Sequence, residues 1–428
     1  MRGTQFALFK TRRFLPLFVA MFLGAFNDNF YRSAMVILIT YRLADVVGMD
    51  ARILVTAAAG IFILPFVLFS ALAGQLADKY ERSSLVRYVK SLEIVVILGA
   101  VAGFLTGSIV QLMIVLFLMG VQSTFFGPLK YSILPQHLER DELIGGNALI
   151  ASGTFLAILL GTIFGGIFVL GDKGIYVVCA LVVGISITGV AASFFIPPTK
   201  VIEPSLELRF NVFAETWKVI SSVWPKRGIF LPIVSISWFY FVGAMFLSQF
   251  PTFAKMVIGA DEVVTTLFLA VFSVGIGMGS LACNGLLKGE VSGRFVPRAA
   301  LGMALAGVAL YFFSIKEPAA GGGALMTITE FLRSPVNITV LACLFAISFF
   351  GGLYIVPLYA IIQSRSEEKY LATVTACSNV IDSVFIVASS IAAAIMLKSG
   401  FSIPQIFLVT AVLTIVALFV IKNAVRDV

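Results

Sequence analysis

Charged residues are scarce in this chain. Asp, Glu, Lys and Arg make up 12% of its 428 residues, whereas hydrophobic residues make up 60%. A soluble protein of ordinary composition carries about 25% charged residues. The mean hydropathy, +1.04, is strongly positive. These values exclude a soluble globular fold and indicate a protein that crosses a membrane many times.

Histidine and cysteine are too few for most catalytic and metal chemistry. His137 is the only histidine, which excludes a His-rich metal cluster and any Ser/His/Asp triad that does not use it. Each of the four cysteines stands alone within an apolar segment, at positions 179, 283, 343 and 377. That spacing predicts neither a disulfide framework nor a metal site. We therefore expect no cofactor and no enzymatic activity.

The basic balance of the chain does not point to nucleic acid. Lys and Arg number 30 against 22 Asp and Glu, but they lie in short loops between apolar segments rather than in one patch. If the N-terminus is cytoplasmic, 22 of them, Lys90 included, fall on the cytoplasmic side and 7 on the other. This bias follows the positive-inside rule and predicts that both termini are cytoplasmic.

Twelve apolar segments are long enough to cross a bilayer as helices, which takes about 20 residues each. The first lacks a small-residue cleavage site, so we expect a retained span rather than a signal peptide. The predicted spans cover 14–40, 54–77, 85–106, 109–132, 143–169, 174–196, 229–254, 263–287, 298–315, 337–363, 371–397 and 402–421.

The longest interior loop divides these spans six and six. We predict an N-terminal half over 1–196, a linker over 197–228 and a C-terminal half over 229–428. Within the linker, apolar residues recur at helical spacing, which predicts an amphipathic helix at the cytoplasmic interface; a plain solvated linker is the alternative. These residues are Phe210, Phe213, Trp217 and Ile220.

Two short repeats indicate that the halves are duplicated. Gly74–Asp78 matches Gly279–Cys283 at three of five positions, and Phe125–Leu129 matches Phe349–Leu353 at four of five. The offsets, 205 and 224, differ by 19, and between the two repeats the second half has a long Gly-rich loop at 316–336 where the first half has only Thr106–Ser108. We predict an all-α membrane protein with twelve transmembrane helices in two pseudo-symmetric six-helix halves. Such transporters bind substrate between the halves near the membrane midplane.

Asp28 lies in the middle of the first apolar segment. A charge at that depth costs about 2.5–3.5 kcal/mol on insertion scales, and such residues usually mark a substrate or ion pathway. Arg32 follows by one turn, in the order that favours an ion pair, so a neutralised pair that joins helices is the alternative. The polar residues of this segment are Asn27, Asp28, Asn29, Tyr31 and Arg32, and a helical wheel places Gly24, Asp28, Tyr31 and Arg32 on one face.

The loop between spans two and three carries a charged motif, Gly74-x-x-x-Asp78-Lys79-x-x-Arg82. We expect Asp78 to contact a helix N-terminus in the opposite half, so that breaking this contact opens a cytoplasmic gate. The motif resembles the loop signature of the major facilitator superfamily. Glu81 replaces the second glycine of that signature and Ser83 replaces a basic residue.

Further segments resemble the bacterial lysophospholipid transporter branch of that superfamily. They are Phe22–Asn29 in span one, Phe126–Pro135 after span four, and Gly145–Leu149 with Gly153–Gly161 in span five. Some members of the branch are fused to an acyltransferase whose motif is H-x-x-x-x-D. Here His137 is followed by Glu142 at the last position, and we expect no acyltransferase domain.

The resemblance implies a carrier in the bacterial inner membrane that brings lysophospholipid from the outer to the cytoplasmic leaflet. Its expected partners are the lysophospholipid, the membrane lipids and a separate cytoplasmic acyltransferase. Asp28, Asn29 and Arg32 would meet an ethanolamine or glycerol headgroup and Lys130 a phosphate, although Lys130 at a span end can also snorkel. A proton-coupled exporter of drugs or siderophores is the alternative, and a membrane enzyme or scaffold is a weaker third.

Three further polar residues are candidates for the substrate path. Gln249 precedes Pro251, where span seven is expected to break, and Asn379 and Asp382 share a face of span eleven. Hydrogen bonding between helices would explain the same three residues without any substrate.

Overall fold

The computed structural model describes residues 5–43, 51–315 and 325–425. In these residues it is helical, and its one strand-like feature is a bridge between Ala260 and Met326. The α-helices are α1 Leu15–Leu38, α2 Ala51–Lys79, α3 Arg82–Thr106, α4 Ile109–His137, α5 Leu143–Val169, α6 Gly174–Phe194, α7 Val212–Val223, α8 Arg227–Thr252, α9 Glu262–Leu287, α10 Val296–Ser314, α11 Ile328–Arg333, α12 Pro335–Arg365, α13 Leu371–Lys398 and α14 Ile403–Ala424.

The predicted all-α membrane fold is confirmed. In the described part of the chain, eleven helices are long and apolar enough to cross a membrane: α2 to α6, α8 to α10, and α12 to α14. The twelfth is α1, whose 24 residues rise about 36 Å, more than the roughly 30 Å of a hydrocarbon core. The polar residues Asn27, Asp28, Asn29 and Arg32 lower the hydropathy of α1.

Two helices continue past prolines at which the sequence predicted an end or a break. The fourth span was expected to end at 132, but α4 continues through Pro128 and Pro135 to His137. The Phe126–Pro135 segment is therefore helical and does not follow the helix. Span seven was expected to break near Pro251; instead α8 runs to Thr252 and widens into a π-helical turn over Phe253–Ile258. Transmembrane helices tolerate proline because neighbours satisfy the freed backbone groups.

The start of α3 corrects the assignment of Lys90. The span was predicted from residue 85, with Lys90 counted among the cytoplasmic loop residues. In the structure α3 begins at Arg82, and Lys90 is fully buried within it. The count of basic residues placed Lys90 outside the membrane because a loop lysine is far commoner than a buried one.

Helix packing supports the duplication. In the first half α2 packs against α4, α3 against α6, and α1 against α6. The corresponding helices of the second half make the same pairs: α9 with α12, α10 with α14, and α8 with α14. The glycines of the 316–336 insertion lie outside the described residues, which resume at Leu325 and contain the short helix α11.

The chain forms two compact units. One holds residues 1–146, 156–225 and 366–380, and the other holds 147–155, 226–365 and 381–428. Helices α5 and α13 are thus each divided between the units, so the units do not follow the predicted halves residue by residue. In the second unit, the start of α5 bonds to α12 and α9, since Asn147 donates to Gln363 at 2.6 Å and Ser152 donates to the Gly277 carbonyl at 3.0 Å.

The linker contains the helix α7, which lies against α2 in the first unit. Val219 and Val223 are buried, and Glu215 accepts a hydrogen bond from Gln75 at 3.0 Å. Phe213 and Trp217 are on the opposite side, with 77% and 72% of their surface exposed. The aromatic residues of the predicted amphipathic helix thus face away from the protein, as they would at a membrane interface.

Glycines set the closest helix contacts. A Cβ on Gly161 or Gly165 of α5 would overlap the carbonyl oxygens of Phe26 and Phe30 in α1. A Cβ on Gly279 of α9 would overlap the carbonyl oxygen of Phe349 in α12. Small residues at such positions let helix backbones approach closely inside a membrane.

Gly279→Ala should therefore destabilise the protein, because the added methyl group forces α9 away from α12. Overpacking of this kind costs about 1–3 kcal/mol. Gly285→Ala is the matched control on the same helix, since a Cβ there meets nothing within 4 Å. It should be neutral or stabilise by up to about 1 kcal/mol, because alanine is the better helix former. Thermal unfolding in detergent compares the two, and equal melting temperatures would contradict the packing described here.

Candidate functional site

Asp28 lies near the middle of α1 and is 9% exposed. Its Oδ2 accepts a hydrogen bond from the hydroxyl of Ser123 in α4. The ion pairs of the described residues do not include Asp28. Arg32 instead donates to Asn29 Oδ1 at 3.4 Å and places its guanidinium 5.9 Å from the centre of the Phe62 ring. The alternative reading, an ion pair of Asp28 with Arg32, is therefore not found, and Arg32 contacts Asn29 and the Phe62 ring instead.

Ser123 belongs to a face of α4 that carries two more features of interest. Gly127 and Lys130 follow it at spacings of four and three, which keeps all three on one side of the helix. A Cβ on Gly127 would lie 2.8 Å from Nδ2 of Asn379 in α13. This face therefore looks toward protein and not toward lipid. Lys130 is partly exposed, and its Nζ lies 4.8 Å from the centre of the Tyr131 ring.

Three of the predicted site residues are thus brought together within the first unit. Asp28 contacts one end of the α4 face through Ser123, and Asn379 packs against its middle. Lys130 lies seven residues beyond Ser123, about 10 Å along the helix. Along this face lie the Asp28 carboxylate beside Ser123, the Asn379 amide beside Gly127, and the Lys130 ammonium.

The remaining predicted residues of α1 point elsewhere. Tyr31 is fully buried and donates its hydroxyl to the Leu112 carbonyl at 2.8 Å. Asn29 donates to the Ala25 carbonyl of its own helix at 2.8 Å. Asn27 is also fully buried, and it contacts α3 and α6. Tyr31 therefore serves packing, and the single face drawn on a helical wheel is divided among several neighbours.

A buried polar network lies beside Asp28. Its centre is the carboxylate of Glu93 in α3, which is 3% exposed. Oε1 accepts from Asn27 at 3.3 Å and from Ser186 at 2.9 Å. Oε2 accepts from Lys90 at 2.7 Å and from Gln122 at 3.0 Å. One carboxylate thus joins α1, α3, α4 and α6.

The sequence prediction missed this network and Ser123. Lys90 is a base and Glu93 an acid three residues later on the same helix, a spacing that brings side chains together. The same reasoning that singled out Asp28 applies to Glu93, a charge well inside an apolar span. Ser123 gives no comparable signal, because an isolated serine in an apolar helix is ordinary.

The charged loop motif contacts a helix N-terminus, as expected, but the first turn of that helix belongs to the same compact unit as the motif. Asp78, at the end of α2, accepts backbone hydrogen bonds from Ala372 at 3.1 Å and Thr373 at 2.9 Å. Both amides lie in the first turn of α13, which has no acidic residue of its own. The first amides of a helix lack partners within the helix, and the helix dipole favours an anion there.

Arg82 stabilises this contact. Its side chain is fully buried and pairs with Asp78 Oδ1 at 3.2 Å. It also donates to the carbonyls of Ser132 at 2.9 Å and Glu368 at 3.3 Å. The guanidinium therefore joins the motif to α4 and to the segment just before α13.

Gly74 and Lys79 take different places in the motif. A Cβ on Gly74 would lie 2.8 Å from Cβ of Ala376 and 2.9 Å from Cα of Thr373, so glycine permits the approach of α2 to α13. Lys79 is partly exposed and holds its Nζ 5.8 Å from the centre of the Tyr80 ring. Lys79 thus lies beside the contact and does not form it.

Glu81, which departs from the family signature, caps α3. Its carboxylate accepts hydrogen bonds from the amides of Ser83 at 3.0 Å and Ser84 at 2.7 Å, and from the amide of Thr199 at 2.7 Å. Partial burial opposes ionisation, but the hydrogen bonds outweigh it and lower the pKa of Glu81 to about 2. The backbone there is extended, with φ −63°. The turn therefore needs no glycine, and Glu81 stays ionised at neutral pH.

Gln249 and Asp382 belong to the second unit. Asp382 accepts a hydrogen bond from Ser237 of α8 at 2.6 Å. Gln249 donates to the neighbouring Ser248 at 3.2 Å. Asn379 instead lies against Gly127 of α4, and the place of Asn379 and Asp382 in a substrate path stays a prediction.

A sequence profile of the Major Facilitator Superfamily matches residues 17–320. The chain belongs to this superfamily. Two curated relatives carry the name lysophospholipid transporter LplT. The one from Cronobacter sakazakii is 27% identical over 362 residues, 84% of this chain and 82% of the relative. The one from Escherichia fergusonii is 26% identical over 355 residues, 82% of this chain and 80% of the relative.

Solved structures of this superfamily share the fold. The E. coli fucose:proton symporter FucP superposes with a TM-score of 0.68 at 11% identity, over 95% of this chain and 97% of its own. The human organic anion transporter MFSD10 superposes with a TM-score of 0.69 at 14% identity, over 95% of this chain and 99% of its own. The predicted major facilitator fold is confirmed, and the protein is a multi-pass membrane transporter.

Proposed function

We propose that this transporter carries lysophospholipids to the cytoplasmic leaflet of a bacterial inner membrane by alternating access. The names of the curated relatives support this substrate. The observation that carries the proposal is the α4 face on which Asp28, Asn379 and Lys130 come together. A separate cytoplasmic acyltransferase would then re-acylate the lysophospholipid that arrives.

The charges of this face complement a zwitterionic headgroup. Asp28 offers a carboxylate whose one direct partner in the described residues is a neutral hydroxyl, so an ammonium group can pair with it. Lys130 offers an ammonium to a phosphate, and its flexible stem lets it follow the headgroup. Asn379 lies between the two and can hydrogen-bond a glycerol hydroxyl. Arg32, one turn from Asp28, is a second cation within reach of the headgroup path.

The contact of Asp78 with α13 serves as the cytoplasmic gate in this proposal. In this proposal the α2–α3 loop and both termini are cytoplasmic, as the positive-inside bias of the loops predicts. While Asp78 and Arg82 hold the first turn of α13, a headgroup cannot leave between these elements. Release to the cytoplasmic leaflet requires that the contact break.

Uptake into proteoliposomes tests the proposed substrate. Purified protein should accumulate labelled lysophosphatidylethanolamine, and unlabelled lysophosphatidylethanolamine should compete with it. A monoacylglycerol of the same chain length, which lacks the phosphate and the ammonium, should not compete. Equal competition by both lipids would contradict headgroup recognition. Assays with and without a proton gradient then separate this activity from a proton-coupled exporter.

Lys130→Gln should raise the KM for lysophosphatidylethanolamine about tenfold, since a hydrogen bond to a charged group contributes about 1.5–3 kcal/mol. Maximal uptake should change less, because the gate is intact. Lys173→Gln, an exposed lysine outside the spans, is the matched control. An unchanged KM in Lys130→Gln would show that Lys130 only snorkels.

A further inference from the structure

Two pairs of adjacent residues connect the buried network to the proposed site. On α1, Asn27 contacts Glu93 and Asp28 contacts Ser123. On α4, Gln122 contacts Glu93 and Ser123 contacts Asp28. Adjacent residues of a helix point about 100° apart. When α1 and α4 are turned about their axes so that Asn27 and Gln122 reach Glu93, Asp28 and Ser123 therefore face each other.

Lys90 fixes the same helix one turn earlier. Its Nζ is 2.7 Å from Glu93 Oε2 and would lie 2.6 Å from a Cβ on Gly24. It also lies 5.3 Å from the centre of the Phe126 ring. Because Gly24 has no side chain, the ammonium can reach the backbone of α1. The network thus meets α1 at two levels: Lys90 packs against Gly24, and Glu93 accepts a hydrogen bond from Asn27.

We propose that Glu93 is a positioning residue of the substrate site, which fixes the rotation of α1 against α4 so that Asp28 and Ser123 face the lysophospholipid headgroup. Glu93 does not touch the substrate. It acts through Asn27 and Gln122, the residues just before the two that form the site. This inference rests on the proposed function for its substrate, but the geometric part can be tested without transport.

A simpler role for Glu93 is to neutralise the buried Lys90. The two roles predict different behaviour in a double variant. Glu93→Gln removes the charge and leaves Lys90 unpaired in the helix bundle, so this variant mixes both effects. Lys90→Met with Glu93→Gln removes both charges, and it restores a neutral interior of similar volume. The amide of glutamine still cannot accept from Asn27, Ser186 and Gln122 together, because its nitrogen only donates.

Disulfide cross-linking measures the position of α1 directly. Cysteines replace Asp28 and Ser123 in full-length protein whose four buried native cysteines are changed to alanine. With Glu93 intact, a mild oxidant should cross-link the pair readily. In the Lys90→Met, Glu93→Gln background the rate should fall about tenfold, since a disulfide needs Cβ atoms within about 4.5 Å. Uptake by the same double variant with Asp28 and Ser123 intact should show a raised KM.

Each outcome decides between the two roles. A low cross-linking rate in a double variant that melts like the parent supports positioning, and a rate equal to that of the parent overturns it. If both Glu93 variants fail to fold, Gln122→Met removes only the α4 arm and keeps the ion pair, and it should slow cross-linking as well. Unchanged cross-linking in folded Gln122→Met overturns the proposal. If cross-linking depends on Glu93 but lysophospholipid uptake is absent altogether, the positioning stands and the proposed substrate fails.

Discussion

Asp28→Asn should reduce uptake of lysophosphatidylethanolamine about 10- to 100-fold, because hydrogen bonds to a charged group contribute about 1.5–3 kcal/mol and 1.4 kcal/mol is a factor of ten. Asparagine has nearly the same shape and can still accept a hydrogen bond from Ser123 through its oxygen. The variant therefore removes the charge and leaves the packing of α1 in place. Initial rates in proteoliposomes, at several lysophospholipid concentrations, measure the loss.

Two controls test whether the loss of uptake in Asp28→Asn comes from the missing charge at this site. Asp172→Asn makes the same chemical change at an exposed position outside the spans and should leave uptake unchanged. Asp28→Asn should unfold in detergent at the parental melting temperature or above it, since burial of an amide costs less than burial of a carboxylate. Uptake at the parental rate by Asp28→Asn would remove the carboxylate from the proposed site.

Asp78→Asn should weaken the gate more strongly than any other single change in the loop. It leaves Arg82, which is fully buried, without its counter-ion. Removing one partner of a buried ion pair costs about 3–5 kcal/mol. The cost falls on the state in which the contact is formed, because an open gate hydrates Arg82. The balance between gate-closed and gate-open states should therefore shift about 100-fold or more toward open, and uptake should fall because the gate no longer closes.

A cysteine in place of Ala372 reports this shift. Ala372 lies in the first turn of α13 and is fully buried. In inside-out vesicles a charged thiol reagent should modify the Ala372→Cys protein slowly and its Asp78→Asn derivative rapidly. Lys79→Ala is the matched control, because the Lys79 ammonium lies over the Tyr80 ring and not in the contact. Similar labelling of all three proteins would contradict a gate at Asp78.

The sequence predicted the fold well because twelve apolar segments and a charge bias leave few alternatives. It also predicted the contact of Asp78 with a helix N-terminus, since the layout of the spans fixes where the α2–α3 loop lies. Helix ends at prolines were predicted less well. Proline breaks helices in water, but in α4 two prolines lie inside the helix, where neighbouring groups satisfy the backbone.

Side-chain partners were harder to predict than helices. Arg32 and Asp28 have the spacing of an ion pair, but Asn29 and the Phe62 ring compete for the guanidinium. Tyr31 shares a helical face with Asp28, yet its hydroxyl bonds to Leu112 within the core. Helical spacing states which residues lie on one side of a helix, and it does not state which neighbour each of them meets.

The buried network around Glu93 shows a second limit of prediction from the sequence. Glu93 bonds to side chains from four helices that are distant in sequence. No local pattern reveals such a meeting point, because it depends on how the helices pack. The charge of Glu93 within an apolar span was visible in the sequence, and it is the signal by which the network could have been suspected.

Protection of Ser123 by substrate tests most directly whether lysophospholipid binds beside Asp28. In protein with Ser123→Cys, lysophosphatidylethanolamine should slow modification by a small maleimide, and the slowing should follow lipid concentration. A cysteine in place of Asp172, an exposed residue outside the spans, should react at the same rate with and without the lipid. Equal rates at Ser123→Cys in the presence and absence of a saturating lysophospholipid would contradict the account.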